Sequence, residues 1–363
     1  MKILAAAGSS GGHIFPALAF LDCVKSAYPD SGTLLVVPST KLDRNIFSKG
    51  HPVRNTGVRA ISRKVSLSNI RACAAFFKSF FQSAAILAEF KPDAVVGFGS
   101  IASVPVVICA WLMRIPVLIH EQNVIPGKAN RLLIHICQKC AISFEQTAQF
   151  LGENGSKLVL TGNPVRRDLT VIDKAHAVEY FKLKPGIKTL LVMGGSQSSR
   201  KINFGFAQAF KKLGLQDSLQ VIHLCGTIDK KELESEYGRD IAGVRLVEFM
   251  NDMQYAYSAS DLAVCRAGAT TIAELVKYRL PAVLIPYPYA QAHQTANAQV
   301  LEEAGCARII QDSGLEEGTL LTALDGLLRT PRALENMRSG FERFCSIKTA
   351  SLAEEVKKLC SYE

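Results

Sequence analysis

The chain has 363 residues, too many for one ordinary core, and its 48% hydrophobic and 20% charged residues are the make-up of a globular protein of two domains. Forty-two Lys and Arg against 32 Asp and Glu give a net charge of +10, which favours anionic partners: nucleic acid, phosphorylated substrates or acidic lipid headgroups. The ten cysteines sit in apolar stretches such as Leu21-Asp22-Cys23-Val24, as buried free thiols do, and point to a reducing, cytoplasmic compartment. The apolar run after Met1 is too short for a signal peptide. The longest apolar region, Ile101 to Ile119, is broken by Pro105, Arg114 and Pro116, so it reads as a helix followed by a strand and not as a membrane span.

Taken in order, Lys2 to Ala7, Thr33 to Pro38, Asp93 to Gly97, Pro116 to Glu121 and Lys157 to Leu160 read as buried strands, with helical patterns such as Ile14 to Tyr28 between them. That alternation predicts a parallel, helix-covered sheet. After Lys184-Pro185-Gly186 a second series follows: Thr189 to Met193, Gln220 to Leu224, Val244 to Glu248, Asp261 to Val264 and Ala282 to Pro286. Turn chemistry at Thr161-Gly162-Asn163-Pro164 places the boundary there. The expectation is an α/β protein of two domains, 1–164 and 165–344, with a cleft between them. The helical tail, about 345–363, is expected by analogy to cross back onto the first domain.

Each glycine loop follows a strand, where open parallel sheets bind ligands. Gly8-Ser9-Ser10-Gly11-Gly12-His13 leads into a helix, so backbone N–H groups and the helix dipole converge on one anion site. Its spacing is not that of a dinucleotide fingerprint, and the uncharged Val36-Val37-Pro38-Ser39 offers no acidic residue for a ribose, so NAD binding is not expected. His13 is either a helix-start residue that packs, or a base whose imidazolium form the dipole disfavours. Gly97-Phe98-Gly99-Ser100 is a weaker second loop, and His120-Glu121-Gln122-Asn123 brings a carboxylate and two amides to the same edge. In the second domain, Gly194-Gly195-Ser196-Gln197 and Arg266 to Thr271 form two further phosphate cradles. Glu274, one turn beyond Thr270 and Thr271, is either a solvated charge or an acceptor for both hydroxyls of a nucleotide's ribose. His293 to Asn297 offers a polar helical face for a sugar, with Gln294 and Asn297 three apart.

Together these motifs resemble the MurG family, the bacterial lipid-I N-acetylglucosaminyltransferases. The motifs are Gly11-Gly12-His13-Ile14-Phe15-Pro16, His120 to Asn123, Thr161 to Arg166, Gly194 to Gln197 and Cys265 to Glu274, in the family's order across nearly the whole chain. The resemblance implies the GT-B architecture: two Rossmann-like domains whose parallel sheets face a deep cleft, acceptor in the first and UDP-N-acetylglucosamine mostly in the second. It implies that the donor meets Ser10, Gly11, Gly12, Asn123, Arg166, Ser196, Met250, Ala269, Thr270, Thr271, Glu274, Gln294 and Asn297. Arg166, Ser196 and Thr271 would serve the diphosphate, Glu274 the ribose and Met250 the uracil. Gly8, His13, Gly97, Gly99 and Ser100 would face the acceptor's diphosphate, and His13 and Glu121 are the candidate bases.

The implied reaction is inverting transfer to the 4-hydroxyl of the N-acetylmuramoyl unit of lipid I, giving lipid II for peptidoglycan. No Asp-x-Asp motif is evident, so no metal or other cofactor is expected; helix N-termini and Arg166 would offset the leaving charge. The chain departs from the family pattern at Ile101, where many members have Tyr, and at Ser198-Ser199, where Gly-Ala is usual.

Leu67 to Phe90 reads as a helix with Phe76, Phe77, Phe80 and Phe81 near Arg71 and Lys78. It either lies on an anionic inner-leaflet surface, at the cytoplasmic face of the membrane, or packs on the sheet through Ile70, Ala74 and Ile86. Cys137-Gln138-Lys139-Cys140 lacks a second cysteine pair, runs into a strand and reads as structural. A lipid glycosyltransferase acting on diacylglycerol, a UDP-N-acetylglucosamine 2-epimerase and a non-catalytic sugar-nucleotide binder are the rival readings. The absence of a basic strip with interleaved aromatics argues against nucleic acid.

Overall fold

Strands covered by helices on both faces are continuous apolar runs, and two sets of such runs build this chain. The computed structural model describes residues 1–38, 50–57, 67–195, 198–289, 292–315 and 318–361. They divide into two units, 1–167 with 349–363, and 168–348. The chain thus crosses a few residues beyond each of the boundaries expected at 164 and 344.

In the first unit the strands are β1 (Lys2–Ala6), β2 (Gly32–Pro38), β3 (Val53–Thr56), β4 (Ala94–Gly97), β5 (Val117–Glu121), β6 (Lys139–Ile142) and β7 (Leu158–Leu160). They form one parallel sheet in the order β3-β2-β1-β4-β5-β6-β7. The order reverses between β1 and β4, the switch point at which open sheets of this kind take their ligands. One face of β1 packs Ile3 and Ala5 beneath Ile14, Leu18 and Leu21. The helix Leu352–Cys360 adds Leu352, Val356 and Leu359 to that same core.

The second unit repeats the plan with β8 (Lys188–Met193), β9 (Leu219–Leu224), β10 (Val244–Val247), β11 (Leu262–Cys265), β12 (Ala282–Leu284) and β13 (Ala307–Ile309). Its parallel order is β10-β9-β8-β11-β12-β13, and the switch point lies between β8 and β11. The helix Arg200–Leu213 buries Ile202, Phe206, Phe210 and Leu213 against this sheet, a stripe at helical spacing.

β3 and β13 were not expected from the sequence. Both are edge strands, and Val-Arg-Asn-Thr and Ala-Arg-Ile carry too few apolar residues to register as buried strands. The first helix spans Gly11–Ala27, three residues ahead of its expected start, with Ser10 as N-cap. Six of the eight described cysteines are buried. Burial pushes the Cys137 thiol up to about 11 and the Cys140 thiol higher still, which keeps the pair protonated and inert.

Candidate active site

At the first switch point the carboxyl ends of β1 and β4 carry two glycine loops that pack on each other. A Cβ added to Gly8 would overlap the Ser100 side chain and stand 2.9 Å from His13 Cδ2; one added to Gly99 would stand 3.5 Å from His13 Cε1. Gly99 and Ser100 are both left-handed, with φ of +80° and +68°. The His13 ring is thereby seated between Gly8 and Gly99. The Ser10 carbonyl accepts from His13 and Ile14 N–H, and no side chain caps the helix. The N–H groups of Gly11 and Gly12 have no intrahelical acceptor, so this terminus, with no acidic residue in its first turn, suits an anion.

Gly97 does not belong to this loop. It lies inside β4, and a Cβ there would come 2.9 Å from Val107 Cγ2. Glycine is needed so that the helix Val104–Leu112 can close on the sheet.

His13 Nδ1 lies 3.3 Å from Gln122 Oε1, and the Gln122 amide nitrogen donates to the carbonyls of Phe98 and His120. Glu121 is 2% exposed, and its carboxylate accepts four hydrogen bonds. Oε1 takes the N–H and Nδ2 of Asn123; Oε2 takes the N–H of Gly127 and Nδ2 of Asn130. With both oxygens occupied, Glu121 has no lone pair for a substrate hydroxyl. The second candidate base is corrected to the organiser of the 121–130 loop. Asn123 is half-buried, with its backbone N–H and its amide nitrogen both held on Oε1. Arg166 also belongs to the first unit, its guanidinium 5.4 Å over the Phe15 ring.

In the second unit two uncapped helix N-termini converge on the switch point. Ser199 caps Arg200–Leu213 and Gly268 caps Ala269–Tyr278, neither through a side chain. The Gly268 carbonyl takes Ile272 N–H, so the N–H groups of Ala269, Thr270 and Thr271 precede the first intrahelical bond. The buried Thr270 hydroxyl has no partner among the described residues. Ser198, at φ +59°, donates to the Cys225 carbonyl at 2.6 Å, and Ser199 Oγ accepts from Arg266. Both departures from Gly-Ala are therefore engaged. Ser196 lies outside the described residues.

One turn on, Glu274 accepts from the buried Tyr257 hydroxyl at 2.6 Å. Nothing in the sequence signalled Tyr257, which arrives from a separate helix, Met253–Ala259. Arg266 was likewise missed as a clip: it ties β11 to Asp312, to the Ile285 carbonyl and to Ser199. Gln294 Oε1 accepts from the N–H groups of Ala267 and Tyr287, which leaves Nε2 as its end for a ligand. Asn297 is fully buried and donates to the Ala267 carbonyl. It shapes the loop from behind, which corrects its expected contact with the sugar. Met250, half-buried, follows β10.

The glycosyltransferase family 28 N-terminal domain matches residues 3–142, and the family's C-terminal domain matches residues 189–355. A protein of Desulforamulus reducens is 36% identical, with 94% of each chain covered, and one of Myxococcus xanthus is 38% identical, with 93% of this chain and 87% of that one covered. Both are named UDP-N-acetylglucosamine:N-acetylmuramyl-(pentapeptide) pyrophosphoryl-undecaprenol N-acetylglucosamine transferase. The chain belongs to the MurG family. The crystal structure of Acinetobacter baumannii MurG is similar over 98% of this chain and 99% of that one, with a TM-score of 0.74 at 26% identity. A UDP-N-acetylglucosamine 2-epimerase shares the fold, with a TM-score of 0.64 at 16% identity over 94% and 90% of the two chains. The two parallel-sheet units are thus the GT-B architecture of MurG enzymes, and family membership separates this chain from the epimerases where the fold does not.

Proposed function

We propose that the protein transfers N-acetylglucosamine from UDP-N-acetylglucosamine to the 4-hydroxyl of the N-acetylmuramoyl unit of lipid I, with inversion, forming lipid II. The observation that carries this reading is the His13 imidazole seated beside an uncapped helix N-terminus: a base next to a place for an anionic acceptor. The acceptor's diphosphate would rest on Gly8, Gly99 and Ser100 and the N–H groups of Gly11 and Gly12. The donor diphosphate would rest on the N–H groups of Ala269 to Thr271 with Arg166 and Ser196, the ribose on Glu274, the uracil by Met250, and the sugar on Asn123 and Gln294. As the acceptor oxygen bonds to the anomeric carbon, its proton passes to His13. The bond from that carbon to the diphosphate oxygen breaks, and UDP leaves with the electron pair, its charge met by helix N-termini and Arg166.

The first unit, 1–167 with the tail 349–363, is read as the acceptor and membrane-facing domain, and 168–348 as the donor domain. Among the described residues no helix is long and apolar enough to cross a membrane. Phe77 and Phe81 are 67% and 80% exposed on the helix Leu67–Phe90. Trp111, Leu112 and Met113 are exposed on the neighbouring helix end, with Lys78 and Arg114 beside these residues in sequence. This combination suits peripheral attachment to the anionic cytoplasmic face of the membrane. Phe76 and Phe80 pack inward, their rings 5.4 Å apart, so only half of the aromatic quartet is free for that contact. Ala74 is exposed, outside the core-facing stripe first assigned to it.

The deciding assay follows UDP release from UDP-N-acetylglucosamine with and without a short-chain lipid I analogue, with product mass. Acceptor-dependent release and a disaccharide product are expected. Free N-acetylmannosamine would make the protein an epimerase, and no turnover a binder.

A further inference from the structure

A neutral imidazole carries one proton on either of two nitrogens, and only the nitrogen without it can act as a base. In this protein the choice is settled by a chain of groups that reach His13 from the far side of β5. It begins at a backbone carbonyl, which can only accept. The Gly162 carbonyl lies 3.0 Å from His120 Nε2, so that nitrogen carries the hydrogen. His120 is completely buried and stacked on Phe98, with ring centroids 5.3 Å apart. Burial pulls it down to about 4, so it is neutral and its Nδ1 is a lone pair.

Gln122, itself 1% exposed, has its amide nitrogen 3.2 Å from the Phe98 carbonyl, 3.1 Å from the His120 carbonyl and 3.1 Å from His120 Nδ1. All three are acceptors. Reversing the amide would turn its oxygen onto three lone pairs inside the core, where an unmet acceptor costs about 1–3 kcal/mol. The amide therefore presents Oε1 to His13, and Oε1 can only accept from Nδ1, 3.3 Å away.

We infer that Gln122 and His120 are positioning residues that hold His13 in its Nδ1–H tautomer, so that its basic lone pair stands on Nε2. The catalytic importance of this lock rests on His13 being the base in the transfer proposed above; the lock itself does not. His120-Glu121-Gln122 thus acts behind the site: alternate residues of one segment point to the same side, His120 and Gln122 toward His13 and Glu121 toward its own loop.

Two-bond proton–nitrogen correlation spectra of the full chain labelled with nitrogen-15 histidine test this directly, the His13 signals being identified by their loss in His13→Asn. In the unsubstituted protein the pattern of the Nδ1–H tautomer is expected, and this measurement needs no variant to fold. Gln122→Met, similar in size but without the acceptor, should release His13 to the Nε2–H form. Its kcat should fall about a hundredfold, the low end of what a general base contributes, with the KM for UDP-N-acetylglucosamine little changed. An Nε2–H pattern in the unsubstituted protein, or no change of tautomer in Gln122→Met, overturns the inference. A changed tautomer with undiminished acceptor-dependent turnover upholds the lock and removes His13 as the base.

Discussion

Tyr257 donates its hydroxyl hydrogen to Glu274 from 2.6 Å, out of a helix that the ligand-facing loops do not include. The bond occupies one carboxylate oxygen and fixes the direction of the other. Tyr257→Phe should therefore raise the KM for UDP-N-acetylglucosamine about tenfold while kcat changes little, the cost of one hydrogen bond to a charged group. Steady-state kinetics with varied donor reads it; a kcat loss at constant KM would place Tyr257 elsewhere in the reaction.

Gly8 is held to glycine by what faces it. Gly8→Ala pushes a methyl group into Ser100 and toward His13, and should lower stability by about 1–3 kcal/mol as overpacking does. Activity should fall further, because the displaced group is the ring itself. Adding Ser100→Gly removes the obstructing side chain and should restore part of both; a double variant no better than Gly8→Ala would contradict the packing described.

Removing the Glu121 carboxylate strands four donors in a buried loop. Glu121→Ala should cost about 3 kcal/mol or more in urea unfolding. The shape of the pH–rate profile for its residual activity should match that of the unsubstituted enzyme. Loss of a limb from that profile at undiminished stability would return Glu121 to the chemistry.

His120 in the first unit and His223 in the second are completely buried. Burial lowers His120 to about 4 and His223 to about 3, from 6.5 in the open chain. Because the folded values lie below the unfolded one, the unfolded chain binds the extra protons as pH drops beneath 6.5. The stability is whole above that pH and lost progressively toward 4, about 3 kcal/mol for each histidine by pH 4.5. Urea midpoints at pH 7.5 and 4.5 should differ accordingly; equal midpoints would mean that these rings are charged in the folded state.

For the membrane contact, Phe77→Ser with Phe81→Ser should weaken binding to vesicles containing anionic phospholipid at least tenfold. The same pair should leave the donor KM unchanged. Undiminished sedimentation with vesicles would assign the two rings to some other partner.

The loops at the strand ends were legible in the sequence because glycine after an apolar run marks a turn, and because parallel sheets gather ligands at that edge. What was not legible depends on who meets whom across the fold. Gly97 and Gly99 look alike in a string of letters, yet one is a strand residue under Val107 and the other a left-handed turn. Glu121 reads as a reactive carboxylate until Gly127 and Asn130 are seen to reach it. Asn297 shares a helical face with Gln294 in the sequence, but burial separates their uses. The Phe76 to Phe81 cluster divides in the same way, because a helix lying on a sheet has both a covered and an open side.

The helix Leu352–Cys360 has a temporal meaning. Its Val356 and Leu359 complete a core that includes Ile3 and Ala5, so β1 gains its full cover only after the whole of the second unit has been made. The intervening unit, 168–348, holds all its own strands and can close while the first is still unfinished. A chain cut short before residue 352 would release a finished second unit joined to a first whose apolar floor lies open to water and to other chains.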